Sequence, residues 1–222
     1  MSKTKKAVLI ASAVVILAAG VGLLYALLWR FGVIEHGKYE SAKFGIEDYK
    51  SKYDADGDGI DDQTDILLSV KAYLATEPQY KSVYYDGGWP NDNYGVCTDV
   101  VARGLLGAGY DLQALVDADR AENPDGYKED EKPDKNIDFR RVRNLLPYFR
   151  HTAISLTTDT GEYSEWQPGD IVIWEGHVGV ISEHRNYKGV PFVYHHGRPE
   201  QETYEEDVLE TFGEILGHFR VS

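Results

Sequence analysis

An apolar run of 23 residues, residues 7–29, limits what this chain can fold into more than any other feature of its sequence. As a helix the run is roughly 34 Å long at about 1.5 Å per residue, and a hydrocarbon core is about 30 Å thick. No face of the helix is polar, which argues against a half-buried helix of a soluble domain. A cleaved signal peptide is the alternative, but its apolar region usually has only about 7 to 15 residues. We therefore expect an uncleaved membrane anchor.

The charges around this run predict its orientation. Lys3, Lys5 and Lys6 precede it, and Arg30 follows it. Because Lys and Arg are in excess on the cytoplasmic side of membrane helices, we expect a cytoplasmic N-terminus and an extracellular C-terminal domain, a single-pass arrangement in the cell membrane. The whole chain has a net charge of −14. This balance argues against nucleic acid as a partner, because binding it needs a cationic surface.

Hydrophobic periodicity predicts that helices come first and strands follow. Apolar residues recur at helical spacing in three segments, residues 66–74, 97–106 and 139–151. Five later segments alternate or run apolar at strand length, at 152–158, 170–174, 177–183, 192–197 and 217–221. Residues 119–136 are typical of a charged loop. This order predicts an α+β fold in which helices pack on an antiparallel sheet of about five strands.

Cys97 is the single cysteine of the chain and cannot form an internal disulfide. In an exported protein such a thiol lies in an oxidising environment. Cys97 follows a Gly-rich loop and begins a predicted helix, where unpaired N–H groups and the helix dipole favour a thiolate. We therefore expect a lowered thiol pKa and a candidate nucleophile. A buried, unreactive thiol is the alternative interpretation.

Two histidines on neighbouring predicted strands are candidates for a base and its orienting partner. His177 begins one strand, and His195 lies on the next, which we expect to pair with it as a hairpin. A hydrogen bond between the two rings would fix the tautomer of the base. Side chains alternate along a strand, so His195 and His196 face opposite sides. A register shift of one residue would make His196 the partner instead, and ordinary structural roles are the other interpretation.

Several motifs, in order, resemble those of NlpC/p60-type cysteine peptidases. "WQPGDIVIWEGHVGVISE" resembles their signature, and "GVCTDVV", "NIDFRRV", "EDVL" and "GHFR" look like the related domain of unknown function 1287 family over about residues 50–222. The resemblance implies a papain-like core in which Cys97 is the nucleophile, His177 the base and His195 the third residue. It also implies a hydrolase that cleaves amide bonds, with cell-wall peptidoglycan as the expected substrate. The alternatives are a non-catalytic cell-surface binding module, and a thiol acyl hydrolase or transferase that acts on lipids.

A further motif, "DADGDGIDDQTD" at residues 54–65, matches the twelve-residue calcium loop of EF-hand proteins. The spacing predicts one structural Ca²⁺ held by Asp54, Asp56, Asp58, the Ile60 carbonyl, Asp62 and Asp65. The twelfth position is Asp in place of Glu, and the eighth is Asp61, where a paired EF-hand has an apolar residue. The loop therefore looks more like the single loops of dockerin or thrombospondin type 3 repeats. A solvated acidic turn is the alternative.

The predicted domain organisation therefore has four parts. Residues 1–30 form a cytoplasmic tip and transmembrane anchor, and residues 31–53 form a stalk. Residues 54–75 form the calcium-binding loop and its helix, and residues 76–222 form the NlpC/p60-like cysteine hydrolase domain.

Overall fold

The computed structural model describes residues 3–30, 37–128 and 132–221. Residues 31–36 of the expected stalk and residues 129–131 of the predicted charged loop lie outside this range. The chain divides into two compact units, Met1–Gly37 and Lys38–Ser222.

The first unit contains helix α1 (Lys3–Arg30). Its segment Ile10–Leu28 has 19 residues and a mean hydropathy of 2.4, so it is long and apolar enough to cross a membrane. A helix suits such a segment because it satisfies every backbone polar group internally. The apolar N-terminal helix is confirmed. A signal sequence has the same properties, and the orientation of the helix stays a prediction.

The described part of the second unit contains the α-helices α2 (Asp62–Leu74), α3 (Cys97–Gly107), α4 (Leu112–Glu122) and α5 (Val142–Thr152). The periodicity predicted α2, α3 and α5. Helix α4 was missed, and its last turn overlaps the predicted charged loop. Asp111 caps this helix by accepting hydrogen bonds from the N–H groups of Gln113 and Ala114. Leu112 and Val116 anchor it in the core, so tertiary packing outweighs its polar composition.

Seven strands form the main sheet, and their pairing is antiparallel. The five predicted segments overlap strands β4 (Ile154–Ser155), β5 (Ile171–Trp174), β6 (His177–Arg185), β7 (Pro191–Tyr194) and β9 (Ile215–Arg220). Strand β8 (Glu205–Glu206) extends the sheet beyond β7. Strand β1 (Tyr39–Glu40) pairs with β6, so this part of the expected stalk belongs to the globular unit instead. Strands β2 (Gln79–Tyr80) and β3 (Tyr94–Gly95) form a separate parallel pair.

Buried apolar side chains cover both faces of the main sheet. The helix face packs in one cluster with the helices and contains Ile171, Ile173, Val178, Val180 and Phe219. The tryptophan face contains Trp166, Val172, Trp174, Ile181 and Val193. Because side chains alternate along a strand, successive residues of β6 belong to different faces. This alternation decides where the candidate site residues lie.

Candidate functional site

Cys97 is the first residue of α3, and strand β6 encloses its thiol. The residue is 9% exposed, and its sulfur lies within hydrogen-bond reach of the backbone at Val178. Asp99 fixes the helix start, because its carboxylate accepts a hydrogen bond from the N–H of Val96 at 2.9 Å. Arg140 donates two further hydrogen bonds to Asp99, at 2.7 and 2.9 Å. The start of α3 is therefore held rigidly against the start of β6.

Burial determines the pKa of the Cys97 thiol. Removal from water disfavours the thiolate and raises the pKa to about 11, while backbone hydrogen bonds from Val178 and Thr98 act in the opposite direction. The expectation of a lowered pKa is therefore wrong for this conformation. The stabilising N–H groups are present, but desolvation is the larger effect. At neutral pH the side chain is a thiol.

His177 and His195 form a buried pair at the ends of two neighbouring strands. Strands β6 and β7 pair as the predicted hairpin, and His177 Nε2 lies 3.1 Å from His195 Nδ1. His177 is 6% exposed and His195 is 0% exposed. Gly197 permits this approach, because a Cβ at that position would lie 3.1 Å from His177 Cε1. The predicted contact between the two rings is confirmed.

Burial also keeps His177 uncharged. It lowers the pKa of His177 to about 3, the neighbouring His195 lowers it as well, and the negative charge of Glu206 opposes both effects. The neutral imidazole is the form that accepts a proton. Among the described residues, the hydrogen bonds of the His177 ring involve Nε2 and leave Nδ1 unused.

The thiol and the imidazole lie on opposite sides of strand β6. Val178 and Val180 share the helix face with Cys97, whereas His177 packs beside Trp174 on the tryptophan face. Within the described parts of the chain, no hydrogen bond joins Cys97 to His177 or His195. The structure therefore brings Cys97 to the backbone of Val178, the residue that follows His177.

Aromatic rings cover His177 on the tryptophan face. The ring of Phe212 stacks on the imidazole with 4.3 Å between centroids and an interplanar angle of 17°. Trp174 contacts both rings, at 5.0 Å from Phe212 and 5.8 Å from His177. Phe212 is itself 37% exposed. It therefore forms the outer wall of the histidine pair.

Sequence reasoning missed Glu206, which lies on the far side of His195. Glu206 on β8 pairs with Val193 of β7, and its Oε2 lies 3.1 Å from His195 Nε2. This contact does not meet hydrogen-bond geometry, and among the described residues Nε2 of His195 has no hydrogen-bond partner. Arg198 holds the carboxylate from outside, with Nη2 at 2.9 Å from Oε1. In the sequence, Glu206 is one of many acidic residues, so its role could not be recognised.

His196 lies on the helix face, opposite to His195, as the alternation predicted. Its ring makes edge contacts with Tyr80 at 5.3 Å and with Tyr204 at 5.1 Å. Burial lowers the pKa of His196, and its Nδ1 has no hydrogen-bond partner. Of the two candidates for the third residue, His195 is the one that contacts His177.

The "PGD" motif supports the sheet through Asp170. This carboxylate accepts hydrogen bonds from Gln63 at 2.9 Å and from Arg220 at 2.8 and 2.7 Å. The Nε2 atom of His218 lies 2.9 Å from it. Gly169 has a φ of +88°, and a Cβ there would lie 2.6 Å from the carbonyl oxygen of Gln63. The motif therefore joins α2, β5 and β9.

The acidic loop brings three of its predicted ligands together. Asp54, Asp56 and Asp58 offer carboxylate oxygens that all lie within 4.8 Å of one another. Asp65 is 6% exposed, and its Oδ2 has no hydrogen-bond partner. Burial raises the pKa of Asp65, and the charges of Asp58, Asp56 and Asp54 raise it further. The negative charges of Asp54, Asp56 and Asp58 therefore act on the buried carboxylate of Asp65.

Asp62, the predicted fifth carboxylate ligand, has other partners. It is fully buried, accepts a hydrogen bond from the N–H of Ala55 at 2.7 Å and accepts another from the Tyr110 hydroxyl. Its assignment as a metal ligand is therefore not supported in this conformation, because its oxygens already tie the loop to the turn after α3. Ile60 is 37% exposed, and its N–H donates to Asp58 at 2.8 Å.

Comparisons with known proteins place the thiol, the histidine pair and the "PGD" motif in one family region. Residues 67–221 match the family described as Domain of unknown function (DUF1287). "Uncharacterized protein YijF" of Escherichia coli (strain K12) is 40% identical over 161 residues, which are 68% of this chain and 76% of that protein. No solved structure matches the chain. The family match and the identity to this relative show that the chain belongs to the DUF1287 family.

Proposed function

We propose that this protein is a membrane-anchored cysteine hydrolase of the NlpC/p60 type, with a papain-like core, that cleaves amide bonds in peptidoglycan stem peptides. The observation that carries the proposal is the buried His177–His195 pair at the start of β6, beside the helix start that bears Cys97. A thiol, an imidazole and a group that orients the imidazole are the parts that a cysteine nucleophile requires.

In the proposed reaction, Nδ1 of His177 removes the thiol proton as the sulfur of Cys97 attacks the amide carbonyl. The new C–S bond leaves an oxyanion, which N–H groups at the start of α3 stabilise. The imidazolium then protonates the leaving amine as the C–N bond breaks. Water, deprotonated by His177, releases the acyl group as a carboxylic acid and restores the thiol.

The proposed reaction begins from a neutral pair. A thiol with a pKa of about 11 and an imidazole with a pKa of about 3 do not form an ion pair at rest. Proton transfer is therefore coupled to substrate attack. In the proposed reaction, His177 turns from the tryptophan face towards the edge of β6 to reach the thiol, and its ring gives up the stacking on Phe212.

Digestion of purified peptidoglycan tests this proposal. The full chain in detergent micelles is incubated with peptidoglycan, and the soluble fragments are weighed by mass spectrometry. We expect new stem-peptide fragments from the wild type and none from Cys97→Ala. His151→Gln is the matched control, since His151 lies on α5 outside the site. The absence of fragments from the wild type, or the same fragments from Cys97→Ala, would contradict the proposal.

The enclosure of the thiol favours one second candidate function, a non-catalytic surface module that binds cell-wall peptides. Cys97 is 9% exposed and has no imidazole contact among the described residues. If the protein is such a module, the Cys97→Ala variant would bind peptidoglycan as tightly as the wild type does. The wild-type thiol would react with iodoacetamide more slowly than free cysteine. A hydrolase would show thiol alkylation that substrate blocks.

We also propose that residues 54–65 form a dockerin-like loop that binds one Ca²⁺. The orphaned Oδ2 of Asp65 and the three grouped carboxylates fit a hard cation that prefers oxygen ligands. Asp54, Asp56, Asp58 and Asp65 would hold the ion, and Asp62 would keep its structural hydrogen bonds. The bound charge would offset carboxylate repulsion.

Calorimetry of the full chain with CaCl₂ tests the calcium proposal. We expect saturable binding that Asp54→Ala with Asp58→Ala removes, while Asp86→Ala, at an exposed position outside the loop, retains it. At a Ca²⁺ concentration of about 100 times Kd, binding adds about 2.7 kcal/mol to the stability of the folded state. No heat of binding at millimolar Ca²⁺, or binding that survives the double substitution, would refute the site.

A further inference from the structure

We infer that Glu206 is a positioning residue of the thiol site, which orients His195 and thereby makes Nδ1 of His177 the proton-accepting atom. This inference rests on the proposed function. It adds a fourth member to the series Cys97, His177 and His195.

Three of these groups, His177, His195 and Glu206, follow one another across three strands. His177 at the start of β6 contacts His195 after β7, with 3.1 Å between Nε2 and Nδ1. The other nitrogen of His195 lies 3.1 Å from Glu206 on β8. His195 is fully buried, and its Nε2 has no well-aligned partner. A buried N–H without a partner is costly, and Glu206 supplies the carboxylate within reach.

The chemistry of a carboxylate sets the direction of the whole series. An ionised Glu side chain only accepts hydrogen bonds, so the nitrogen of His195 that faces it carries the proton. Nδ1 of neutral His195 is then an acceptor, and the proton between the two rings belongs to Nε2 of His177. Nδ1 of His177 therefore keeps its lone pair free. Without Glu206, both tautomers of His195 are allowed, and half of the possible arrangements place a proton on the wrong atom.

The neighbouring Glu205 provides a matched control. It lies on the same short strand, but it contacts Lys38, Ser182 and His184 instead of the histidine pair. The two glutamates share a strand and an acidic sequence, yet one of them reaches His195. Burial penalises the charge of Glu206, while contacts with His195 and Arg198 lower its pKa, so it is ionised at neutral pH.

Substitution of Glu206 by Gln should exchange the protonated and unprotonated nitrogens of both His195 and His177. Arg198 donates to the outer oxygen of this side chain, so in Glu206→Gln the amide oxygen stays on Arg198 and the NH₂ group faces Nε2 of His195. Donation from the amide then moves the proton of His195 to Nδ1 and that of His177 to Nδ1 as well. We expect Glu206→Gln to lower the rate of peptidoglycan cleavage roughly ten- to a hundredfold, less than the about 10²- to 10⁴-fold contribution of a direct acid or base, because Glu206 acts only through His195. Glu206→Asp should retain part of the activity, and Glu205→Gln should retain nearly all of it.

A second measurement does not depend on activity. Long-range ¹H–¹⁵N spectra of the full chain in micelles, labelled with [¹⁵N]histidine, assign the protonated nitrogen of each ring. We expect Nε2–H on both His177 and His195 in the wild type and in Cys97→Ala, and Nδ1–H on both in Glu206→Gln. A wild-type His195 with Nδ1–H would overturn the inference even if no variant folds. So would tautomers that Glu206→Gln leaves unchanged. Correct tautomers without any cleavage would refute the hydrolase and leave the positioning role intact.

Discussion

Two buried histidine clusters occupy the tryptophan face of the same sheet, and they differ in what their ring nitrogens do. In the first cluster, His218 uses both nitrogens: Nε2 lies 2.9 Å from Asp170, and Nδ1 lies 2.7 Å from the carbonyl oxygen of Thr157. Its ring stacks flat on Trp166, with centroids 3.7 Å apart. In the second cluster, the described hydrogen bonds of His177 use one nitrogen. Phe212, which is partly exposed, covers its ring.

This difference separates a structural histidine from a candidate base better than burial does. His218 and His177 are 1% and 6% exposed, so exposure does not distinguish them. A ring with both nitrogens bonded has no lone pair for chemistry. A ring with one bonded nitrogen keeps a fixed tautomer and a free lone pair, which a general base needs. Each prediction below tests whether this assignment of roles is correct.

The largest expected effect comes from His177→Asn. Loss of the base should lower the rate of peptidoglycan cleavage by about 10²- to 10⁴-fold. The free energy of unfolding should change by only about 1 kcal/mol, the usual size for a single substitution. Cleavage assays and urea unfolding followed by tryptophan fluorescence measure the two quantities. If His177→Asn loses several kcal/mol of stability but its folded fraction cleaves at the wild-type rate, the two clusters have been assigned the wrong way round.

The reverse result is expected for Asp170→Ala. Removal of this carboxylate leaves Arg220 and His218 without their buried partner, and breaking a buried ion pair costs about 3–5 kcal/mol. Urea unfolding should show this loss. At low temperature, where the variant stays folded, its cleavage rate per folded molecule should remain close to that of the wild type. A decrease in the free energy of unfolding of less than about 1 kcal/mol would contradict the structural role of this cluster.

How much the sequence predicts also differs between the two clusters. The position of Cys97 at a helix start and the pairing of the His177 and His195 strands follow from local periodicity and alternation, and the structure has both. The "PGD" motif does not predict that Asp170 contacts Gln63 and Arg220, which are 107 and 50 residues away in the sequence. Contacts of this length depend on the tertiary fold and leave no local pattern.

Desolvation explains the incorrect expectation about the thiol. The sequence indicates that Cys97 begins a helix, and this local feature favours the thiolate. It does not indicate that β6 closes over the sulfur, and the resulting burial raises the pKa to about 11. Alternation along β6 predicts which side chains share a face. It does not predict that the helices pack on the face that contains Val178, because this packing depends on the tertiary fold.

A smaller effect concerns the dependence of stability on pH. The pKa of His177 is lowered from 6.5 to about 3 in the folded state. Between these values, the unfolded chain binds a proton that the folded chain does not bind, so stability falls as pH decreases from about 6.5 towards 3. The slope is up to about 1.4 kcal/mol per pH unit for this group. His195, Glu206 and Arg198 are the groups that face it.

The variant His177→Gln should flatten this part of the pH profile. Urea unfolding between about pH 7 and pH 4 measures the slope for the wild type and for the variant, and the difference belongs to His177. Leu68→Ala serves as the control, because this exposed side chain has no titratable group. Equal slopes for wild type and His177→Gln would show that the imidazole is not held neutral.

The smallest expected effect comes from Phe212→Ala, which opens the outer wall of the histidine pair. Phe212 is partly exposed, so its truncation should cost only about 1 kcal/mol of stability, well below that of a core aromatic residue. It should nevertheless raise the rate of Cys97 alkylation by iodoacetamide about tenfold, because His177 can then turn towards the thiol and act as its base.

The Phe212→Ala, His177→Asn double variant separates access from basicity: if the faster alkylation needs the imidazole, the double variant returns to the wild-type rate. Tyr53→Ala, at another exposed aromatic residue, controls for general loosening. Faster alkylation that persists in the double variant would mean that Phe212 limits solvent access alone, and the free nitrogen of His177 would then lose its link to the thiol.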